Sequence, residues 1–389
     1  MSGHANLPAY TQAEVKAALL QAGACGTIYS LVMPESEQAL AYVVDGCERD
    51  SVLGAVDAAA RLTDMRRKNY LSRYHEPWTQ KQDAMHEAYF SQWLKWAAPI
   101  VSIRADDFPY RYPTAGASEG IFKIMAEYAA ACHASGITPV VHVFEGEYEG
   151  FSAYAAALRI RTVAHPRDDW RDVPARLERH AQFWVSQPSA IDGNVWSHFG
   201  EFVSAMGEAQ PDVQVIPDLT YVGSVARDFH VDLDCPNIPA FIISHSKPFG
   251  GYYHRVGGVF SRRENLSLFG NKWFKNLQSL AWGTEMMKRH GVYDLPRRYR
   301  SVQGAAVEMI ARRLEIEGLA PADVLLLGIA TPPSTISPLL SSVLRGSGRG
   351  RVIRLCLTPA MTCLIDPAMA PEMMRRLERA APDDHKAEG

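Results

Sequence analysis

The stretch FIISHSKPFGGYYHRVGG, residues 241–258, decides how the rest of the chain is read. An apolar run leads into Ser244, His245, Ser246 and Lys247. Glycines and aromatics follow, then Arg255 eight residues after the lysine, then another apolar run. An ammonium where a buried strand ends is unfavourable unless it is paired or neutral. Lysine is also the usual side chain for Schiff-base chemistry, because desolvation and nearby cations lower its pKa. Ser244 and Ser246 add hydroxyls, and Arg255 adds a permanent cation in a planar fork suited to phosphate. Together these groups ask for a small aldehyde that carries a phosphate.

Pyridoxal 5'-phosphate is such a molecule, and the other parts it needs occur elsewhere in the chain. A carboxylate must face the pyridine nitrogen to keep it protonated. Asp218 closes the apolar run VQVIPD, and Tyr221 follows at a spacing that lets its hydroxyl reach the phenolic oxygen. Phosphate favours a helix N-terminus with small residues. Gly116, Ala117 and Ser118, in TAGASEG, stand before the helical run IFKIMAEYAAACHA. An aromatic must cover the ring, and Tyr148 follows the strand-like run ITPVVHVF. His245 and His254 flank the lysine and the arginine and read as scaffold.

The chain has 389 residues, 47% hydrophobic and 21% charged, which is globular composition with length for two or three domains. A net charge of -3 carries no signature of nucleic-acid or membrane-surface binding. The six cysteines form no C-x-x-C pair and have no histidine at zinc-finger spacing. They read as reduced thiols of a cytoplasmic protein, with no metal site. The N-terminus lacks a signal-peptide core, and no apolar run reaches the length of about 18 residues that a membrane span needs.

Along the chain, residues 11–67 read as helices, and NYLSRYHEPWTQ (69–80) as a loop that touches something. From residue 80 strands alternate with helices. The strand candidates are ITPVVHVF, RTVAHP, VQVIPD, AFIISHS and GGVFS. The helix candidates include QKQDAMHEAYFSQWLKWA, EGFSAYAAALRI, DDWRDVPARLERHAQFW (168–184) and VWSHFGEFVSAMGEAQ. Such alternation predicts an α/β layer with a mainly parallel sheet, whose ligand sits at the C-terminal strand ends. After residue 282 come the helix SVQGAAVEMIARRLEIEG, the strands VLLLGIA and RVIRLCLT, and a final helix APEMMRRLERAA. These predict a smaller α+β domain.

On these residues the chain resembles fold type I pyridoxal-phosphate enzymes of the class I/II aminotransferase family, over about residues 70–357. The family's Ser-x-x-Lys, its Phe-Gly, its following aromatic and its Arg-Val-Gly match Ser244, Lys247, Phe249, Gly250, Tyr252, Arg255, Val256 and Gly257. The resemblance implies a mixed, mainly parallel seven-stranded sheet with helices on both faces, spanning residues 71–290. A small α+β domain of residues 291–389 would be joined by the N-terminal helical segment 1–70. It makes Lys247 the residue that forms the internal aldimine and shuttles the proton. Ser244, Arg255, Gly116, Ala117 and Ser118 would hold phosphate, Tyr148 would stack on the ring, and Asp218 and Tyr221 would contact its nitrogen and phenolic oxygen. Arg354 would bind the substrate α-carboxylate. Tyr70 resembles the tyrosine that reaches the partner subunit's phosphate, which implies a homodimer with its active sites at the subunit interface. The implied activity is that of an enzyme acting on an amino acid through an external aldimine and a quinonoid, aminotransferase-like, in a specialised biosynthetic pathway. The alternative is β- or γ-elimination, replacement, cyclisation or C–C bond formation, with S-adenosylmethionine one conceivable substrate.

One departure stands out. The family has Asn in a Ser-Asn-Pro-x-Asn-Pro-x-Gly turn, donating to the phenolic oxygen. Here the turn is SQPSAIDG (186–193), and Ala190 occupies the Asn position. Unless Ser189 or Asn194 substitutes, that oxygen loses a donor. Arg349 and Arg351, in the loop GSGRGR, are candidates to assist an anionic substrate. Gly116 to Gly120 also fits the G-x-S-x-G of hydrolases. That motif needs a strand before it, and PYRYPTA, with two prolines, reads as poor strand material. A non-catalytic protein of the same fold is the remaining alternative.

Overall fold

The computed structural model describes residues 11–31, 33–45, 84–251, 254–273 and 276–371. Seven strands form its main sheet: β1 (Tyr110–Thr114), β2 (Val140–Phe144), β3 (Arg161–His165), β4 (Gln182–Ser186), β5 (Gln214–Asp218), β6 (Ala240–Ser244) and β7 (Gly257–Ser261). Their spatial order is β1-β7-β6-β5-β4-β2-β3. The pairs β6-β5, β5-β4, β4-β2 and β2-β3 are parallel, and β7 runs antiparallel to both its neighbours.

The sheet is covered on both faces, so its central strands are apolar without alternation. Phe241 and Ile243 of β6 face one core cluster, while Ile242 between them faces the other. The first cluster takes Tyr89, Phe90 and Trp93 from α1 (Ala84–Ala97) and Phe199, Phe202 and Met206 from α2 (Phe199–Ala209). The second takes Ile121, Ile124, Met125 and Tyr128 from α3 (Ala117–Ala134). Those residues recur at three and four, the spacing of one buried helix face. Gly120 lets this helix lie against β7, since a Cβ there would sit 2.8 Å from the Val259 side chain.

Two expectations fail. The segment 168–184 is not a helix: short 3-10 turns cover Arg167–Asp169 and Pro174–Arg176, and β4 begins at Gln182. QFWVS is buried at every position, and a short continuous apolar run looks the same in a central strand as in a buried helix. Conversely, YRYPT is a strand. It is the sheet's edge and pairs only with β7, so Pro113 removes no ladder bond on the open side.

A second, antiparallel sheet follows in the order β8-β9-β11-β10, from β8 (Ala320–Pro321), β9 (Leu327–Ala330), β10 (Leu344–Arg345) and β11 (Val352–Cys356). The N-terminal residues lean on it. Cys25 and Cys356 exchange both backbone bonds, at 3.1 and 2.9 Å. Farther on, the helix Pro34–Asp45 is fastened elsewhere: Trp282 Nε1 donates to Ser36 O at 3.1 Å, and the Glu35 carboxylate accepts from Arg298 and from Tyr299 Oη. Tyr70, Tyr252, the helices expected between 51 and 67 and nearly all of the final helix lie outside the described residues.

Gly257 begins β7 where three backbones crowd. A Cβ there would lie 2.4 Å from Ile243 O and 3.1 Å from Gly116 Cα. Gly257→Ala is therefore expected to destabilise the chain by about 1–3 kcal/mol, the usual cost of overpacking a core. Urea denaturation measures this, and an unchanged midpoint would contradict the crowding.

Candidate active site

The parallel strands all end on one edge of the main sheet, and the antiparallel β7 begins there. From that edge rise the loops that carry Ser118, Tyr148, Ala190, Asp218, Lys247 and Arg255. They enclose a cavity of about 360 Å³ that Arg354 reaches from β11. This is the position at which α/β sheets bind ligands.

Lys247 is half-buried, and its Nζ donates to Ile28 O at 2.6 Å. Burial draws its pKa down to about 8; the nearby Cys356 sulfur opposes this and the Arg255 guanidinium adds to it. A useful fraction of the amine is thus neutral near pH 8 and can act as a nucleophile or base. Asp218 ends β5 and is 5% exposed. Its Oδ1 accepts from Thr220 N at 3.0 Å and from Thr220 Oγ1 at 2.5 Å. Oδ2 has no hydrogen bond among the described residues. Burial raises this carboxyl to about 6, with the Thr220 bonds pulling the other way. It is a buried carboxylate with no ion pair among the described residues.

A phosphate-sized anion finds donors at one corner. Helix α3 starts after Gly116 (φ 84°) with no side-chain cap, which leaves its first N–H groups open. Arg255 Nη2 donates to Ala115 O at 3.0 Å, and a Cβ on Gly116 would lie 3.1 Å from that nitrogen. Ser244 Oγ and Ser246 Oγ are 3.0 Å apart, and Ser246 lines the cavity while Ser244 stands behind it. Tyr148 caps the helix α4 (Glu149–Ala157) and places its hydroxyl 3.4 Å from Ser118 Oγ. Gly150 makes room for that ring, since a Cβ there would meet Tyr148 Cε1 at 2.2 Å.

Arg354 is 3% exposed and donates through Nη1 to Ala190 O. Burial lowers its pKa. Tyr221 stands close enough for Arg354 to favour its phenolate, although burial raises its pKa more strongly. At the atypical turn, Ala190 N donates to Ser186 Oγ at 2.7 Å, so neither backbone group of Ala190 is available. Ser189 Oγ accepts from Arg167 at 2.9 Å, and Asn194 Oδ1 accepts from Asp323 N at 3.0 Å. Neither residue lines the cavity, and Tyr221 does.

The structure thus gathers Ala117, Ser118, Tyr148, Asp218, Tyr221, Lys247, Arg255 and Arg354 around one cavity, with Gly116 and Ser244 in direct support. Thr27, Ile28, Thr220 and Ser246 line it as well, and the sequence reading assigned none of them except the Ser246 hydroxyl. Thr220 could have been found as the second residue after a strand-end Asp, the usual partner in an Asx turn. Nothing local marks Thr27 and Ile28. Arg349 and Arg351 are exposed and do not line the cavity. His245 stacks on Phe249 at 5.1 Å and His254 on Trp282 at 4.1 Å, both as scaffold. Ser118 meets the strand requirement of a hydrolase elbow after all. Its Oγ has Tyr148 as its one hydrogen-bond partner among the described residues, so no base serves it.

This is the fold type I architecture of the class I/II aminotransferases. The chain is similar to an Escherichia coli protein with a methionine aminotransferase function (TM-score 0.59, 14% identity, 97% of each chain). It is also similar to a pyridoxal-phosphate-bound C–S lyase from Staphylococcus hominis (TM-score 0.55, 13% identity, 76% of this chain and 81% of that one). A third similar structure is a probable N-succinyldiaminopimelate aminotransferase from Thermus thermophilus (TM-score 0.55, 17% identity, 94% and 98%). No family model matches the sequence, and no curated protein is significantly similar to it.

The lone buried Asp218 gives a signed prediction. Its folded-state pKa of about 6 exceeds the ordinary 3.8, so the cofactor-free folded chain binds more protons there than the unfolded chain does. The contribution of Asp218 to stability should fall as pH rises from about 4 to about 6 and then level off, whereas buried Glu147, raised to about 7, continues the decline slightly higher. Asp218→Asn should flatten that slope and stabilise the cofactor-free chain above pH 6 by roughly 2–3 kcal/mol. Urea melts across the range test it, and a destabilised Asn variant at pH 7.5 would show that a cation already faces the carboxylate.

Proposed function

We propose that the chain is a pyridoxal-phosphate-dependent enzyme that acts at the α-carbon of an amino acid, with transamination as the first assignment. The carrying observation is the pairing, across one cavity, of a cationless buried carboxylate, Asp218, with an amine of lowered pKa, Lys247. A ring that presents a cationic N–H to one and an aldehyde to the other satisfies both. The uncapped start of α3, Arg255 and Ser246 suit the phosphate of the same molecule. When bound, that cofactor supplies an aldehyde that condenses with amines and a ring that withdraws electrons from bonds at the α-carbon.

The protein's own groups do the rest. Asp218 would hold a protonated ring nitrogen, and Tyr148 would lie against the ring. Lys247 would anchor the cofactor's aldehyde, and its amine would serve as the base that moves the α-carbon proton. Arg354, fixed by Ala190 O, takes the α-carboxylate through its remaining donors. Ile28 O orients the Lys247 amine before it reacts. A homodimer completed by Tyr70 belongs to the same reading.

A lyase-type reaction is the second reading, and Ala190 favours it. Of Ser189, Asn194 and Tyr221, Tyr221 alone lines the cavity among the described residues, so the negative charge of the phenolic oxygen would be less well stabilised than with an added Asn donor. That changes the basicity of the Lys247 linkage and with it the proton inventory of the site.

Reconstitution with pyridoxal phosphate should give a visible absorbance band. Borohydride reduction should then fix the cofactor to the peptide that contains Lys247. Lys247→Ala should lose both the band and the adduct, together with at least about a thousandfold in turnover, the scale expected when a covalent and acid–base group is removed. An unaltered band in that variant would sink the assignment. Ala190→Asn should shift the pH midpoint of the band downward, and no shift would mean that another donor already serves the oxygen.

A further inference from the structure

Strand β10 places a second arginine beside Arg354. In the β10–β11 register Arg345 lies opposite Val352, and Arg354 is two residues farther along β11. Opposite residues of an antiparallel pair share a face, as do residues two apart, so Arg345 and Arg354 are diagonal neighbours on one face. That spacing is roughly 7–8 Å. The same alternation sends Arg351 to the other face. Arg345 lines a recess of about 420 Å³ that shares Tyr148 and Glu149 with the cavity of Lys247 and Arg354.

The bonds of Arg345 leave half of its fork unused. Nη1 donates to Leu344 O at 3.2 Å and Nη2 to Glu149 Oε1 at 2.7 Å, while Nε is buried with no partner among the described residues. Arg354 Nε is likewise buried and unpartnered. The Nε and Nη2 hydrogens of an arginine form the side-on fork that a carboxylate grips with two oxygens. Glu149 supplies one oxygen, and its side chain is 66% exposed, so that pair is weakly held and exchangeable. A cationic side chain seeking Glu149 would have to leave Arg345 unpaired. An anionic one pairs Arg345 more completely than Glu149 does.

We propose that the substrate is a dicarboxylic amino acid, its α-carboxylate on Arg354 and its side-chain carboxylate on the Nε/Nη2 fork of Arg345 in place of Glu149. The assignment rests on the amino-acid reading above. Glu149 then acts as an internal stand-in that keeps Arg345 paired between substrates and discriminates against neutral side chains, which cannot displace it.

Calorimetry on the cofactor-loaded full chain tests this without turnover. Maleate should bind at least about tenfold more tightly than butyrate, the gain expected from one charge-assisted fork. Arg345→Ala should erase that preference, Arg345→Lys should restore only part of it, and Glu149→Gln should tighten maleate binding by removing the competitor. With aspartate or glutamate as substrate, Arg345→Ala should lower kcat/KM through KM, by about tenfold more than with alanine. Equal binding of maleate and butyrate to the wild type overturns the proposal, as does weaker maleate binding in Glu149→Gln or a preference for lysine that Glu149→Gln abolishes. Failure of the cofactor to attach at Lys247 overturns the underlying enzyme assignment instead. Repeating the maleate and butyrate titrations on the cofactor-free chain separates the two, because both arginines and Glu149 are present there.

Discussion

The antiparallel register of β6 and β7, with Ser244 opposite Gly257, is the constraint on which the site depends. It brings both ends of the segment 245–256 to the same sheet edge, and His245 N extends the pairing to Val256 O at 3.1 Å. Lys247 leaves that edge just after β6, and Arg255 returns to it just before β7. Their separation in space is therefore fixed by strand pairing and not by loop conformation. The same edge carries the ends of β1, β4 and β5: parallel pairing brings Ala190 and Asp218 there, and the antiparallel pairing of β1 with β7 brings Gly116. Gly257 is what lets Gly116 approach so closely, and Gly250 (φ 69°) lets the segment turn under Leu31 O.

The fold holds the site in an electrostatically unfavourable state. Asp218 is buried without a cation, and Lys247, Arg255 and Arg354 share one small cavity. Asp218 would be more stable in water or beside a cation, and burial likewise disfavours the charged forms of Lys247 and Arg354. Surrounding packing keeps them there: Phe241 stacks on Phe260 at 4.7 Å beneath the strand end, and His245 is wedged against Phe249. A ligand with a cationic ring nitrogen, an electrophilic carbon and an anionic tail relieves all of these groups together. That is why the proposed cofactor fits better than any ligand that would satisfy only one of them.

Much of this was legible in the sequence because the decisive groups are local. Lys247 and Arg255 lie in one short stretch, Asp218 closes an apolar run, and Gly116 opens a helix of clear period. What escaped was non-local or ambiguous in period. QFWVS, buried on both sides, carries no alternation to separate it from a helix, and YRYPT is a strand only because an edge tolerates its proline. Thr27 and Ile28 come from a segment more than two hundred residues from Lys247, which the Cys25–Cys356 backbone pairing and bonds from Tyr29 and Ser30 hold at the site. Arg349 and Arg351 drew attention as a charged run, whereas Arg345 holds the useful position because its register with Val352 puts it on the face of Arg354.

The same register bears on the missing Asn. Arg354 is anchored to the carbonyl of Ala190, not to its side chain, and Ala190 N is held by Ser186 Oγ, which in turn donates to Glu147 Oε2 at 2.6 Å. Burial raises the Glu147 carboxyl to about 7, against the pull of its bonds to Ser186 and Tyr148 N. The turn is thus braced from below by a buried acid, and its backbone positions Arg354 from above. Such a turn keeps its shape whichever side chain stands at residue 190. The side chain is then free to change, while the position of Arg354, the proposed carboxylate receptor, stays fixed.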